Sequence, residues 1–166
     1  MYRATLIPML FVMGLLAGCA NVSPFSTLTK LDLTLRASEA VNPDLHGRPS
    51  PVVVRLIELR HPVAFENADF FTLYGRAEQA LPKDWVASEE LELRPGELLA
   101  LKLSLEPQSR YVGVLAAYRD LPHVQWRLVL SVFQQRRTRV DLLLDESGVR
   151  VVDPQVLRLE DRNAGS

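Results

Sequence analysis

The sequence predicts a mainly β protein: a two-sheet β-sandwich with one short helical insertion. Three observations carry that prediction. About eight short runs either alternate apolar and polar residues or are continuously β-branched, and they recur at roughly 8–12-residue spacing. Pro, Gly, Asp and Asn clusters separate them, as turns require. Only one segment, Val63 to Val86, carries its apolar residues at helical spacing.

Taken in order, Leu31, Leu33 and Leu35 alternate with Asp32, Thr34 and Arg36, the period of a half-buried strand. Pro51 to Leu59 is nearly continuous in Val, Leu and Ile and reads as a central strand. Phe65, Ala68, Phe71 (or Phe70), Leu73 and Ala77 then fall near i, i+3, i+4, with Gly75 a break or C-cap. One helix or two would pack Phe65, Phe71 and Tyr74 against an edge or end of the sandwich. Leu91 and Leu93 alternate with Glu90, Glu92 and Arg94 up to the turn at Pro95-Gly96, and Leu99, Leu101, Leu103 and Leu105 alternate until Pro107. Tyr111 to Tyr118 is an apolar strand, and Val124, Trp126, Leu128, Leu130 and Val132 share one face of the next. Thr138–Leu144 and Val149–Val152 flank Asp145-Glu146-Ser147-Gly148, a hairpin signal. After Pro154 the pattern stops.

Composition excludes several function classes. The chain has 166 residues, enough for one domain. Its 19 Lys+Arg and 20 Asp+Glu give a net charge of −1, which supplies no basic footprint for nucleic acid. Cysteine occurs once, so there is no intramolecular disulfide framework and no Cys-rich metal site.

The amino terminus reads as an address. Arg3 precedes an apolar run, Leu6 to Leu16, that is short of the ~20 residues a spanning helix needs and matches the core of a secretory signal. Leu16-Ala17-Gly18-Cys19 then resembles the lipobox of bacterial lipoproteins. That resemblance implies cleavage before Cys19, diacylglycerol on its sulfur and an acyl chain on the new amine. Several chains on one cysteine make attachment practically permanent, since each buried methylene contributes ~0.8 kcal/mol. Ala20 is not the Asp that marks inner-membrane retention, which favours the periplasmic leaflet of the outer membrane. The expected organisation is a signal peptide over 1–18, a tether over 19–30, the sandwich over 31–153 and a carboxy-terminal tail over 154–166. From Cys19 to Leu31 an extended chain reaches at most ~40 Å.

Parts for catalysis are missing from the sequence. His46, His61 and His123 lie far apart in turn-like contexts, with no zinc-site spacing and no phosphate-loop or nucleophile-elbow motif nearby. Glu89-Glu90 and Asp145-Glu146 read as solvated charges at strand ends. Arg136, Arg137 and Arg139 suit either phosphate contact or a charged strand edge that discourages sheet pairing. The chain is expected to be no enzyme and to carry no cofactor beyond the acyl groups on Cys19.

One connection is unusually long. Ala37 to Ser50 spans fourteen residues where ~2–6 is usual, and Pro43, Pro49 and the following Pro51 stiffen it. It reads either as a crossover between sheets or as a binding loop.

The lipobox, the leading strand, Val41-Asn42-Pro43-Asp44, Gly47 to Leu59, Ala68 to Tyr74, Leu93-Arg94-Pro95-Gly96-Glu97 and Tyr111 to Asp120 with Trp126-Arg127 together resemble the TssJ (SciN) lipoproteins of type VI secretion systems. The resemblance implies a transthyretin-like sandwich held at the outer membrane from the periplasm. It also implies a trans-envelope complex with TssM and TssL, with the loop after the first strand contacting the periplasmic carboxy-terminal region of TssM. Carried over, that loop is Asn42, Pro43, Asp44, Gly47, Arg48 and Pro49. The alternative is a carrier of a small hydrophobic ligand, held between sandwich and helix by Phe65, Phe71, Tyr74 and Trp85.

Overall fold

The computed structural model describes residues 28–152. Eight strands form two four-stranded sheets. Strands β1 (Thr29–Ala37), β4 (Leu98–Leu105), β7 (Arg137–Asp145) and β8 (Gly148–Val151) make the first sheet, in the order β4-β1-β7-β8. Strands β2 (Val52–Leu59), β3 (Trp85–Leu93), β5 (Tyr111–Ala117) and β6 (Arg127–Ser131) make the second, in the order β3-β2-β5-β6. Pairing is antiparallel except between β1 and β7, which run parallel with Lys30 opposite Arg137 and Ala37 opposite Leu144. This is the sandwich the periodicities predict.

The helical segment is two helices, α1 (Val63–Asn67) and α2 (Phe70–Ala80), laid on the outer face of the second sheet. They divide the core in two. Between the sheets lie Leu31, Leu33, Leu35, Val52, Val54, Val114, Leu142 and their neighbours. Between the second sheet and the helices lie Ile57, Leu59, Phe65, Leu73, Ala77, Leu81 and Leu115. Strands β2 and β5 therefore bury both faces, which is why their sequences run apolar without alternating.

Helices of five and eleven residues do not hold themselves in water. Asp69 caps α2 by accepting from the Thr72 amide at 3.0 Å, and that hydrogen bonding lowers the Asp69 pKa. Arg127 donates to the carbonyls of Phe65 (3.0 Å) and Ala68 (2.6 Å), closing the end of α1 from β6. Arg55 bridges from β2 to the Tyr74 carbonyl and to Glu90 on β3, its guanidinium 4.7 Å from the Tyr74 ring centre. α2 breaks at Arg76 (φ −150°, ψ 45°), directly after Gly75.

Three expectations need correction. Phe71 does not pack on the sandwich: it is 76 % exposed, and Phe70 takes the inward place, stacked on Tyr74 and edge-on to Trp126. Glu89 and Glu90 sit within β3 rather than at a strand end, because that strand starts at Trp85. β6 is confined to Arg127–Ser131, so Val124, Trp126 and Val132 lie outside it, although all five residues, Leu128 and Leu130 included, pack on the inter-sheet core as the spacing predicts, and Val129 faces the helices.

One side of the sandwich is sewn shut. Gln125 bridges to Gly148, with Val149 N donating to Gln125 O at 2.7 Å and Gln125 N to Ser147 O at 2.9 Å. Gly148 (φ 122°) lies so close to the Gln125 backbone that a β-carbon would collide with it. Gly113 is a second close approach, facing the Phe65 ring, where an added β-carbon would lie 2.8 Å from Cζ. Gly113→Ala should therefore destabilise the domain by about 1–3 kcal/mol in chemical denaturation. Phe65→Leu introduced alongside it should recover part of that loss.

Candidate functional site

Because every strand runs end to end, the sandwich has two ends with different loops. The chain enters at one, where β1 begins. At the other lie the β1–β2 connection, the Arg94–Glu97 turn, the β5–β6 connection and the β7–β8 hairpin. Backbone bonds knit this second end together: Ala37 N to Glu97 O (2.8 Å), Ser38 N to Leu144 O (2.8 Å) and Gly96 N to Ser38 O (3.2 Å).

Asn42 fixes the long connection. It is 4 % exposed, with a left-handed backbone (φ 49°) that Asn tolerates better than most residues. Its Nδ2 donates to Pro51 O at 2.7 Å, and its Oδ1 accepts from Arg119 N at 2.9 Å. One amide thus ties the loop, the entry to β2 and the exit from β5. Beyond it, residues 44–48 close on themselves. Asp44 Oδ1 accepts from the amides of His46 (2.8 Å) and Arg48 (3.0 Å), while Oδ2 takes Arg48 Nε at 2.7 Å and pairs with its Nη2 at 2.7 Å. Gly47 (φ 76°) donates to Asp44 O at 2.9 Å, and Asp44 N to Arg48 O at 2.9 Å. The Arg48 amide and side chain, in that order, hold the Asp44 carboxyl below its ordinary range.

The clasp leaves Leu45 at the loop tip, wholly exposed. Beside it a cleft of about 680 Å³ runs between the loop and the β5–β6 connection, walled by Pro43, His46, Arg119, His123, Val124 and Glu146. His123 Nδ1 and Asp120 Oδ1 lie 2.7 Å apart on its rim. The Tyr118 hydroxyl beneath is pushed well above its usual pKa by burial, and by the charges of Asp145 and Glu146. Charges of both signs meet at this end: Glu39, Asp44, Glu97, Asp120, Asp145 and Glu146 stand with Arg36, Arg48, Arg94, Arg119 and Arg150, the last paired with Asp145 Oδ2 at 2.9 Å.

Of the residues read from the sequence, Pro43 and Asp44 are half-buried at the cleft, while Gly47, Arg48 and Pro49 are exposed. Asn42 is buried, its amide spent within the fold. Cys19 lies outside the described residues. All three histidines are exposed, and among the described residues no His, Cys, Asp and Glu group could hold a metal. Leu45 stands outside the loop residues read from the sequence, although an apolar residue alone in a polar loop is a signal for it. Tyr118, Arg119, His123 and Val124 are brought in by the fold from a distant connection. Arg137 and Arg139 face Asp32 of β1 (3.4 and 3.9 Å), on the half of β7 that β8 does not reach. The space between helices and sheet is filled by Phe65 and its neighbours, and Phe71 points to solvent, so the ligand-carrier geometry is not formed.

The site thus sets an exposed apolar tip, on a loop closed by its own hydrogen bonds, beside a cleft at one end of a filled sandwich. Residues 29–147 match the family model T6SS-SciN, type VI secretion lipoprotein (VasD, EvfM, TssJ). The chain belongs to this family of lipoproteins, a structural component of the secretion machinery, and it is not an enzyme. It resembles the lipoprotein TssJ1 from Pseudomonas aeruginosa at 38 % identity and a TM-score of 0.73, over 75 % of this chain and 95 % of that one. A chain of a structure described as a type VI membrane complex matches at 27 % identity and TM-score 0.67, covering 76 % of this chain and 99 % of the other. Another match, at 26 % identity and TM-score 0.63 over 75 % and 98 % of the two chains, is in a structure described as the TssM C-terminal domain (869–1107) from EAEC. No curated protein sequence matches significantly.

Asn42→Ala should cost about 1–3 kcal/mol in denaturation, since it strands Arg119 N and Pro51 O and places Ala at a positive φ. The Asp44 clasp has a depressed folded pKa, so its contribution is complete above the unfolded value of 3.8 and is lost as pH falls through the lower folded value. The His46 and Arg48 amide proton shifts should titrate with a midpoint below 3.8, whereas in Arg48→Ala the His46 shift should titrate closer to it.

Proposed function

We propose that the chain is anchored by acyl groups on Cys19 to the periplasmic face of the outer membrane. From there it holds the trans-envelope complex of TssM and TssL by binding the periplasmic carboxy-terminal region of TssM. The observation that carries this reading is polarity: the chain enters the sandwich at one end, and the rigid Asp44–Arg48 loop with its Leu45 tip stands at the other. β1 alone separates the two by roughly 27 Å at ~3.3 Å per residue. Between Cys19 and Leu28 an extended chain reaches no more than ~32 Å. Such a molecule is held near lipid at one end and offers its stiff loop to a partner arriving from the opposite membrane.

The match within the TssM structure supports the partner. Three-quarters of this chain is about 125 residues, and that stretch covers 98 % of the matched chain. A chain of that length is about half the span numbered 869–1107, as a second chain beside that domain would be. The contact surface in this reading is Pro43, Asp44, Leu45, Gly47, Arg48 and Pro49 with the facing cleft, while Asn42 works from beneath as their support.

Leu45→Asp should weaken capture of the TssM carboxy-terminal domain about tenfold or more in titration calorimetry, as for a central apolar anchor, with an unchanged melting temperature. Unchanged affinity would remove the loop from the interface. Cys19→Ser should shift the protein from the outer-membrane fraction to the soluble periplasm and abolish secretion; retention in the membrane would refute the anchor.

A further inference from the structure

The end of the sandwich opposite the cleft has its own character. Between β6 and β7 the chain makes a tight turn, Val132 to Arg136, with Gln135 in the left-handed region (φ 55°). The turn is clamped on both sides. Gln135 N donates to Thr29 Oγ1 at 3.1 Å, Lys30 N to Arg136 O at 2.9 Å, Gln134 Nε2 to Pro107 O at 2.9 Å and Val132 N to Arg110 O at 2.9 Å. Held this way, Phe133 stands 62 % exposed beside the point where the chain enters β1, and Leu28 is 49 % exposed there.

Basic side chains are spread over the same end. Lys30, Arg60, Lys83, Arg110, Arg136 and Arg137 sit at this end, against Glu58, Asp84 and Glu106. Glu58 is turned inward, accepting from Glu106 N (2.9 Å) and Ser109 Oγ (2.6 Å). Among the described residues no carboxylate lies within 4 Å of the charged groups of Lys30, Arg60, Lys83, Arg110 or Arg136. This end is thus basic in a chain whose net charge is −1.

We propose that this end is a membrane-facing surface that seats on anionic phospholipid headgroups, with Phe133 entering the interface. It rests on the lipid-anchor reading, which puts this end within a short tether of the bilayer. An exposed aromatic on the same face as several Lys and Arg is the combination that lipid interfaces favour: the ring enters the headgroup boundary and the cations meet the phosphates. The acyl groups supply attachment. The basic face supplies orientation, holding the sandwich upright so that the loop tip points away from lipid.

The test uses the full-length acylated protein carrying Gln134→Cys or His46→Cys, labelled with an environment-sensitive dye and added to vesicles. One set is phosphatidylethanolamine with phosphatidylglycerol, the other phosphatidylcholine alone. On anionic vesicles the dye at position 134 should shift to the blue and the dye at position 46 should not. Raising the salt to 1 M, where the screening length falls to about 3 Å, should weaken the shift. Removing Arg110 and Arg136 together should weaken the membrane-seated state by roughly fivefold per charge. Aqueous emission from both positions on anionic vesicles overturns the proposal. Flotation with phosphatidylcholine vesicles reads the anchor separately. Protein that fails to float there refutes acylation, while salt-sensitive flotation with anionic vesicles and a blue shift at position 134 would still uphold the basic face; absence of both refutes it too.

Discussion

Strands β2 and β5 are covered on both faces along most of their length, and the placing of the other elements follows from that. Val52, Val54, Val112 and Val114 close the space between the sheets, while Ile57, Leu59 and Leu115 project the other way and must be covered. The chain covers them at once, turning after β2 into two helices too short to persist alone. Phe65 is the deepest element of that cover, and its fit depends on a neighbour with no side chain, Gly113. Arg55 and Arg127 fasten the layer by satisfying helix carbonyls from the sheet itself.

With both faces of these strands occupied and one side closed by the Gln125–Gly148 seam, the ends of the sandwich are where loops can vary. Rigidity at the cleft end comes from small polar devices rather than apolar burial. A single buried amide, Asn42, joins three stretches of chain, and a single carboxylate, Asp44, shapes the four residues after it. A loop ordered in advance loses little entropy on capture, so an exposed Leu45 can contribute most of its burial to affinity.

Much of this was legible in the sequence. Alternation in β1 and β4, the doubly apolar runs of β2 and β5 and the hairpin at Asp145–Gly148 each have a local cause, and local causes can be read. Helical spacing located α1 and α2 but left Phe70 and Phe71 undecided, because adjacent residues on a short helix differ by only about 100° and the sheet chooses between them. The parallel pairing of β1 with β7 joins segments about a hundred residues apart and leaves no local trace. For the cleft, the loop's length and prolines marked the place. Its opposite wall, Tyr118 to Val124, comes from a different connection, and the role of Asn42 as a brace rather than a contact depends on partners at Pro51 and Arg119 that only the fold supplies.

The position of β1 bears on how the molecule resists force. It lies inside its sheet, bonded along its length to β4 on one side and β7 on the other. A pull on Leu28, opposed by a load at the far end, runs along the strand axis and loads both ladders in shear, so many backbone bonds must yield together. At a sheet edge, pulled crosswise, the same strand would peel away one bond at a time. The topology therefore gives the domain a stiff mechanical grain in the direction from the start of β1 to its loop tip, and unfolding under tension is limited by how fast that cooperative rupture occurs.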